Sequence, residues 1–324
     1  MFGPPFYSPF HPLFRLMLLT FLAFSGLPAF AWNTAGHRLV ATIAWECLDS
    51  DTRSTVADIL RQHPDHASWQ ARGGTEPGLT AFLAASTWPD DIRKDPRFYN
   101  AGEEQPTVLV AGFPDMERRR HWHYVDHPIG LVTGDTSTGT LDRQLPRLIH
   151  TLGSRQAAAN ERAYALPWLI HLLGDAHQPL HTASRYDADG RGDRGGNELA
   201  IVNPFDPQSP VTNLHRYWDS LPGPPWLRDA RLESIAKALM ASYPPPLIGT
   251  PRHWLAESRR IAENDAYPFN DAVVPTISAA FHQRASEIAR RRIADAGYRL
   301  AELLQRLLSH DGSDHACVAV KVVP

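Results

Sequence analysis

The stretch LIHLLGDAHQPLH, residues 169 to 181, sets three histidines and an aspartate among apolar residues that should be buried. Groups that titrate or coordinate are costly in a core unless they are paired or hold a metal ion. The segment from Ser154, a candidate N-cap, through Ala158 to Ala176 reads as one long helix, kinked at Pro167 and ended by Pro179. On a helix, residues four apart share a face, so His171 and Asp175 point the same way and can hold one cation. His181 follows just past the helix end. The same pair of types returns in LHRYWD, where His215 and Asp219 lie together on a second helical turn.

Outward from this stretch, helical periodicity dominates. Leu39, Val40, Ile43, Ala44, Cys47 and Leu48 recur at steps of three and four, as do Ile293, Gly297, Leu300, Leu304 and Leu307. Further helices are expected around 51–62, 77–86, 141–152, 226–242 and 252–265. Loops rich in Gly, Pro and Asp fill 99–120 and 183–213, and the second contains ELAIV, a short strand in a hairpin. No repeat, low-complexity tract or composition shift marks a second domain. The expected fold is all-α, one multi-helix domain over 32–324 with long loops.

Residues 1–31 read as an export signal, because the apolar run LMLLTFLAFSGLPAFA follows Arg15 and closes on Ala29-Phe30-Ala31. The run is short for a membrane span, so the expectation is a protein exported to the periplasm or the medium, with no stable membrane association. A formal net charge of -3 gives no broad basic surface to gather nucleic acid by counterion release, so any phosphate recognition must be local. Two cysteines, Cys47 and Cys317, lie near opposite ends of the chain. In an exported protein they can be bridged, and the alternative is two buried thiols.

A single histidine is more often a hydrogen-bonded core or surface residue than a ligand, and with 16 histidines some pairing by chance is expected. Two His-x3-Asp pairs with HQPLH between them are much harder to attribute to chance, and imidazole with carboxylate is the donor set that suits hydrolytic zinc. Three other places extend the pattern: WNTAGH with Trp32 and His37, STWPDDIR with Asp90 and Arg93, and HWHYVDH with His123, Tyr124 and Asp126.

With these motifs in this order, the chain resembles the single-strand-specific, three-zinc nucleases of the plant and fungal type I class, which also occur in bacteria. The resemblance runs from Trp32 to about Leu308 and includes AGYRLAELL near the end. It implies the helical fold shared by zinc phospholipases C and these nucleases. It also implies three Zn2+ ions. Asp90, His123, His171 and Asp175 would hold one; Asp175 would bridge to a second, held also by His37 and by the amino nitrogen and carbonyl oxygen of Trp32. His181, His215 and Asp219 would hold the third. His177 is not a ligand in that pattern, and a supporting hydrogen bond is expected of it. Arg93 takes a position near the scissile phosphate, while Asp126, Tyr124 and Asn197 of RGGNEL match the nucleobase pocket region. Two departures are modest: fungal members carry more cysteines, and Pro89 stands where a small residue often precedes the ligand aspartate.

The implied activity is zinc-dependent endonucleolytic hydrolysis of RNA and single-stranded DNA to 5′-phosphorylated products, with 3′-nucleotidase activity; a monomer is expected. Clustered zinc lowers the pKa of water and neutralises charge on a phosphodiester. Asp90 would ligate and help orient the nucleophile, and Arg93 would add positive charge to the transition state. The nearest rival is zinc-dependent phospholipase C, which has a longer gap between the terminal Trp and the first His and a Glu as last ligand. Here the gap is W-x4-H and the last ligand is Asp219. A rival of another class is a non-catalytic exported zinc-binding protein, whose metal sites would be closed to water.

Overall fold

The computed structural model describes residues 32–74, 76–129, 137–187, 189–268 and 274–309, together with Cys317. The export signal expected over 1–31 lies outside the described residues. Ten α-helices follow in chain order among them: α1 Thr34–Cys47, α2 Ser50–Arg61, α3 His66–Gln70, α4 Pro77–Asp91, α5 Leu141–Gly153, α6 Ala159–Asp175, α7 Leu214–Ser220, α8 Asp229–Ser242, α9 Pro251–Ile261 and α10 Ala279–Leu308. The four strands are short: β1 His127–Ile129, β2 Ala183–Arg185, β3 Ala200–Val202 and β4 Val211–Asn213. The all-α expectation holds, with ELAIV contributing β3 of an antiparallel pair in which Ile201 faces Thr212. Among the described residues, no helix is long and apolar enough to cross a membrane.

Caps placed by the sequence start the helices that matter most. Asn33 accepts from the amides of Ala35 and Gly36 to open α1, Asn213 from Arg216 to open α7, and Ser278 from Phe281 to open α10. One expectation is corrected. Ser154 does not cap the helix that carries His171 and Asp175; α5 runs on to Gly153, and Ser154 turns the chain, its hydroxyl accepting from the Gln156 amide. α6 begins only at Ala159, where the Glu161 carboxylate satisfies the Ala158 amide at 2.9 Å.

α1 lies against α10 and α4, and α6 against α4 and α5. The approach of α10 to α1 is closest at Gly297, where an added Cβ would sit 2.6 Å from Ile43 Cβ. α4 and α6 are locked by aromatic rings: Trp88 meets Trp168, Tyr164 and Phe113 at centroid distances of 5.9 Å. Each such ring, fully buried, contributes about 2 kcal/mol from apolar area. That packing sets Asp90, two residues after Trp88, opposite His171, three after Trp168. β1 and β2 pair in parallel, His127 beside Ala183, so the segments bearing His123 and His181 run side by side. The Val125 amide donates to His181 O at 2.9 Å in the same ladder. Cys47 and Cys317 are disulfide-bonded, tying the end of α1 to the chain beyond α10.

Candidate metal centre

Five segments converge on the end of α6. His171 and Asp175 project from its last two turns, and both are wholly buried. The chain then turns through Ala176–Gln178 into a 3-10 turn, Pro179–His181, which brings His181 back toward them. His37 comes from the first turn of α1, Asp90 from the last turn of α4, and His123 from the end of a 3-10 turn at Arg120–Trp122. α7 supplies His215 and Asp219 on one face. All of these side chains are buried.

Their atoms form three groups: His37, Asp90 and His171; His123, His171 and Asp175; His181, His215 and Asp219. The ligand atoms within each group lie within 4.8 Å of one another. Asp175 is central. Its Oδ2 is 3.1 Å from His123 Nδ1 and 3.4 Å from His171 Nε2, while its Oδ1 is 3.4 Å from His37 Nε2. Asp90 Oδ1 stands 3.8 Å from His171 Nε2 and 3.9 Å from His123 Nδ1. In the third group His215 Nε2 lies 3.1 Å from His181 Nε2 and 3.6 Å from Asp219 Oδ2.

Backbone carbonyls decide which ring nitrogen of each histidine faces the cluster. The Nδ1–H groups of His171, His181 and His215 donate to Ser86 O, His123 O and Gly195 O at 2.8, 2.7 and 2.8 Å. Each neutral ring therefore turns an Nε2 lone pair inward. In the third group this sets two lone pairs face to face at 3.1 Å, an arrangement that a cation between them makes favourable. Both ring nitrogens of His37, His123 Nε2 and Asp175 Oδ1 are buried without a hydrogen bond among the described residues. Burial pushes His171 down to about 3, lowers His37, His123 and His181, and raises Asp90, Asp175 and Asp219. Neutral imidazole is the ligating form, and a divalent cation offsets the penalty on the buried carboxylates. The residues present therefore fit metal ions.

Two glycines make room for this geometry. An added Cβ at Gly174 would lie 2.9 Å from His37 Nδ1, so α6 passes α1 closely only because that side chain is absent. Gly195, at φ +61°, turns its carbonyl to His215, and a Cβ there would stand 2.3 Å from Leu180 O. The GG pair in RGGNEL was the visible sign of the second; nothing in the sequence alone marked the first.

Of the expected substrate residues, Arg93 sits beside the cluster, its Nε 3.3 Å from Asp90 Oδ1 and its side chain largely buried. Asp126 accepts from Ser184 Oγ at 2.8 Å and from Thr138 Oγ1 at 2.7 Å. Ser184 Oγ in turn accepts from the Gly195 amide at 2.6 Å, so the loop bearing Asn197 is tied to Asp126. Asn197 is half-buried and its amide donates to Arg194 O. Tyr124 is half-buried, next to the ligand candidate His123. Ser184 and Gln178 were not singled out in the sequence, although Gln178 stood in plain view in HQPLH. His177 points away from the metal groups, its Nε2 facing Arg299 Nη1 at 2.9 Å.

The sequence profile of the S1/P1 nuclease family matches residues 32–309. The chain is similar to Endonuclease 3 of Arabidopsis thaliana, with 26% identity over 91% of this chain and 96% of that one. It is similar to Nuclease S1 of Aspergillus oryzae, with 23% identity over 86% and 93%, and to Nuclease P1 of Penicillium citrinum, with 24% identity over 85% and 97%. These matches do not favour the phospholipase C alternative. Because the profile takes in all but the two ends of the sequence, this chain belongs to the S1/P1 nuclease family.

Proposed function

We propose that this chain is an exported, monomeric, zinc-dependent endonuclease. It hydrolyses phosphodiester bonds of RNA and single-stranded DNA to 5′-phosphorylated products, with 3′-nucleotidase activity. The observation that carries this reading is the meeting of three buried His/Asp groups around Asp175 in a chain of this family. Asp90, His123, His171 and Asp175 would hold one zinc. Asp175, His37 and the Trp32 amino nitrogen and carbonyl oxygen would hold a second, and His181, His215 and Asp219 a third. When bound, zinc supplies an acidified water and neutralises charge on the phosphate and the departing oxygen.

The chain's own groups do the rest. Arg93 brings a guanidinium beside Asp90, where it can balance negative charge growing on the phosphoryl oxygens. Asp126, pinned by Ser184 and Thr138, keeps lone pairs to accept from a base edge, and Tyr124 and Asn197 flank it in sequence and through the Ser184–Gly195 link. A base can reach such a pocket only when unstacked, which favours single strands over duplex. Support for the terminal amine comes from Asn33, whose amide donates to Asp219 O at 3.1 Å and so brings the chain at Trp32 against α7. The family match beginning at residue 32 supports a domain of 32–324 after a leader of 1–31.

The test is to purify the processed protein, count zinc, and digest RNA, single-stranded DNA and duplex DNA side by side, with phosphatidylcholine vesicles as control. Expected are about three zinc per chain, fastest cleavage of the single strands, no lipid hydrolysis, and loss of both activity and thermal stability on chelation. A chelated protein that keeps its full stability and rate overturns the metal reading. Lipid hydrolysis without nuclease activity overturns the substrate.

A further inference from the structure

The turn joining α6 to His181 carries two buried residues that face opposite ways. His177 looks toward α10, held by Leu173 O and Arg299. Gln178, 0% exposed, looks into the metal groups. Its Oε1 accepts from the Leu180 amide at 2.5 Å, and its Nε2 donates to Asp219 Oδ1 at 2.8 Å. A backbone N–H can only donate, so the amide oxygen must face Leu180 and the NH2 must face Asp219. The carboxylate is thus gripped by one oxygen, and the other, Oδ2, is left turned to His215 Nε2 at 3.6 Å.

We propose that Gln178 is a positioning residue, whose amide aims Asp219 at the cation shared with His181 and His215. This rests on the reading that those three residues hold a zinc. A carboxylate swings about its last torsion with little preference, so a buried donor on one oxygen fixes which lone pair faces the cation. The amide is also neutral, so it favours ionised Asp219 without placing a second positive charge against the metal. The same side chain pins the Leu180 amide, which sets the 3-10 turn that delivers His181. One residue therefore orients two of the three ligands of this group, and it touches no metal itself.

Two variants separate its functions. Gln178→Met keeps length and apolar bulk but loses both hydrogen bonds. Gln178→Glu keeps an acceptor for Leu180 and replaces the donor to Asp219 with a like-charged carboxylate. Zinc per chain is counted after dialysis against buffered low free zinc, with Asp219→Ala as reference and melting of the chelated forms as a check on folding. Zinc affinity at one site should fall about tenfold to a hundredfold in both variants, leaving two ions where the parent holds three, as in Asp219→Ala. The other two ions and the fold of the chelated protein are unchanged. A Gln178→Glu protein with the parent's zinc affinity overturns the positioning of Asp219, even if Gln178→Met fails to fold. Zinc lost equally from all sites also overturns it, because that is the mark of general unfolding. If Asp219→Ala itself loses no zinc, the metal reading of this group falls, and the role of Gln178 with it.

Discussion

At the scale of single residues, the site separates side chains that would touch metal from side chains that hold those in place, and two neighbours on α6 and its turn show the difference. Asp175 has no exposure and lies within 3.4 Å of three different imidazoles. His177, equally buried, has both ring nitrogens engaged elsewhere, with Leu173 O and Arg299. Asp175→Asn should therefore lower zinc content and cut hydrolysis by more than about a hundredfold, since even residues behind the ligands are worth ten- to a hundredfold. His177→Ala opens a cavity and strips Arg299 of a partner, so its loss should appear as about 2–4 kcal/mol of stability, with near-normal zinc and rate at low temperature. Zinc counts, melting curves and rates on single-stranded DNA check both; equal loss of activity in two folded variants would remove the distinction. The candidate ligand types and the i, i+4 spacing that puts them on shared faces were legible in the sequence. The carbonyls of Ser86, His123 and Gly195 that fix the tautomers were not, because a carbonyl's partner depends on folding and leaves no trace in residue identity.

At the scale of elements, the site depends on how closely helices approach, and glycine sets that distance where α6 and α10 pass α1, at Gly174 and Gly297. Gly297 sits on the core face of α10, as its place in the Ile293, Gly297, Leu300, Leu304 spacing suggests. A methyl there would meet Ile43 Cβ and Cγ2 at 2.6 Å and Val40 O at 3.1 Å. Alanine improves helix propensity by about 1 kcal/mol, yet the groups it meets are a β-branched side chain and a backbone carbonyl, which cannot swing aside. Overpacking of about 1–3 kcal/mol should win, so Gly297→Ala should lower the melting temperature by a few degrees. Calorimetry of the metal-loaded protein decides it; an unchanged or raised melting temperature would mean that α1 yields there freely. Periodicity made most helices readable to within a few residues, but the start of α6 was not. A serine three or four residues ahead of an apolar run looks like a cap, whereas α5 and the turn at Ser154 use it otherwise. Only the packing of α5 on α6 decides between the two.

At the scale of the whole molecule, the candidate ligands are spread over residues 32–219, so metal binding and folding would be one process, and the contribution nearest the start of the chain is that of Trp32. Its side chain is buried, with its Cβ close against Gly36, and the next amide, of Asn33, is bonded to Asp219 O. The beginning of the expected mature chain is therefore built into the site rather than trailing from it. If Trp32 ligates through its α-amino nitrogen, that nitrogen must be free, and cleavage after Ala31 is what frees it; an amide nitrogen within a peptide bond is a far poorer donor. Export processing would then complete the enzyme. A protein with one extra residue before Trp32 should hold one zinc fewer than the processed form and lose most of its hydrolysis. The ions assigned to Asp90, His123 and His171 and to His181, His215 and Asp219 should stay. Zinc per chain and the rate on single-stranded DNA, measured on both forms, provide the comparison. If the extended form equals the processed one in both, the amino group is no ligand, and His37 and Asp175 must hold their cation with other donors.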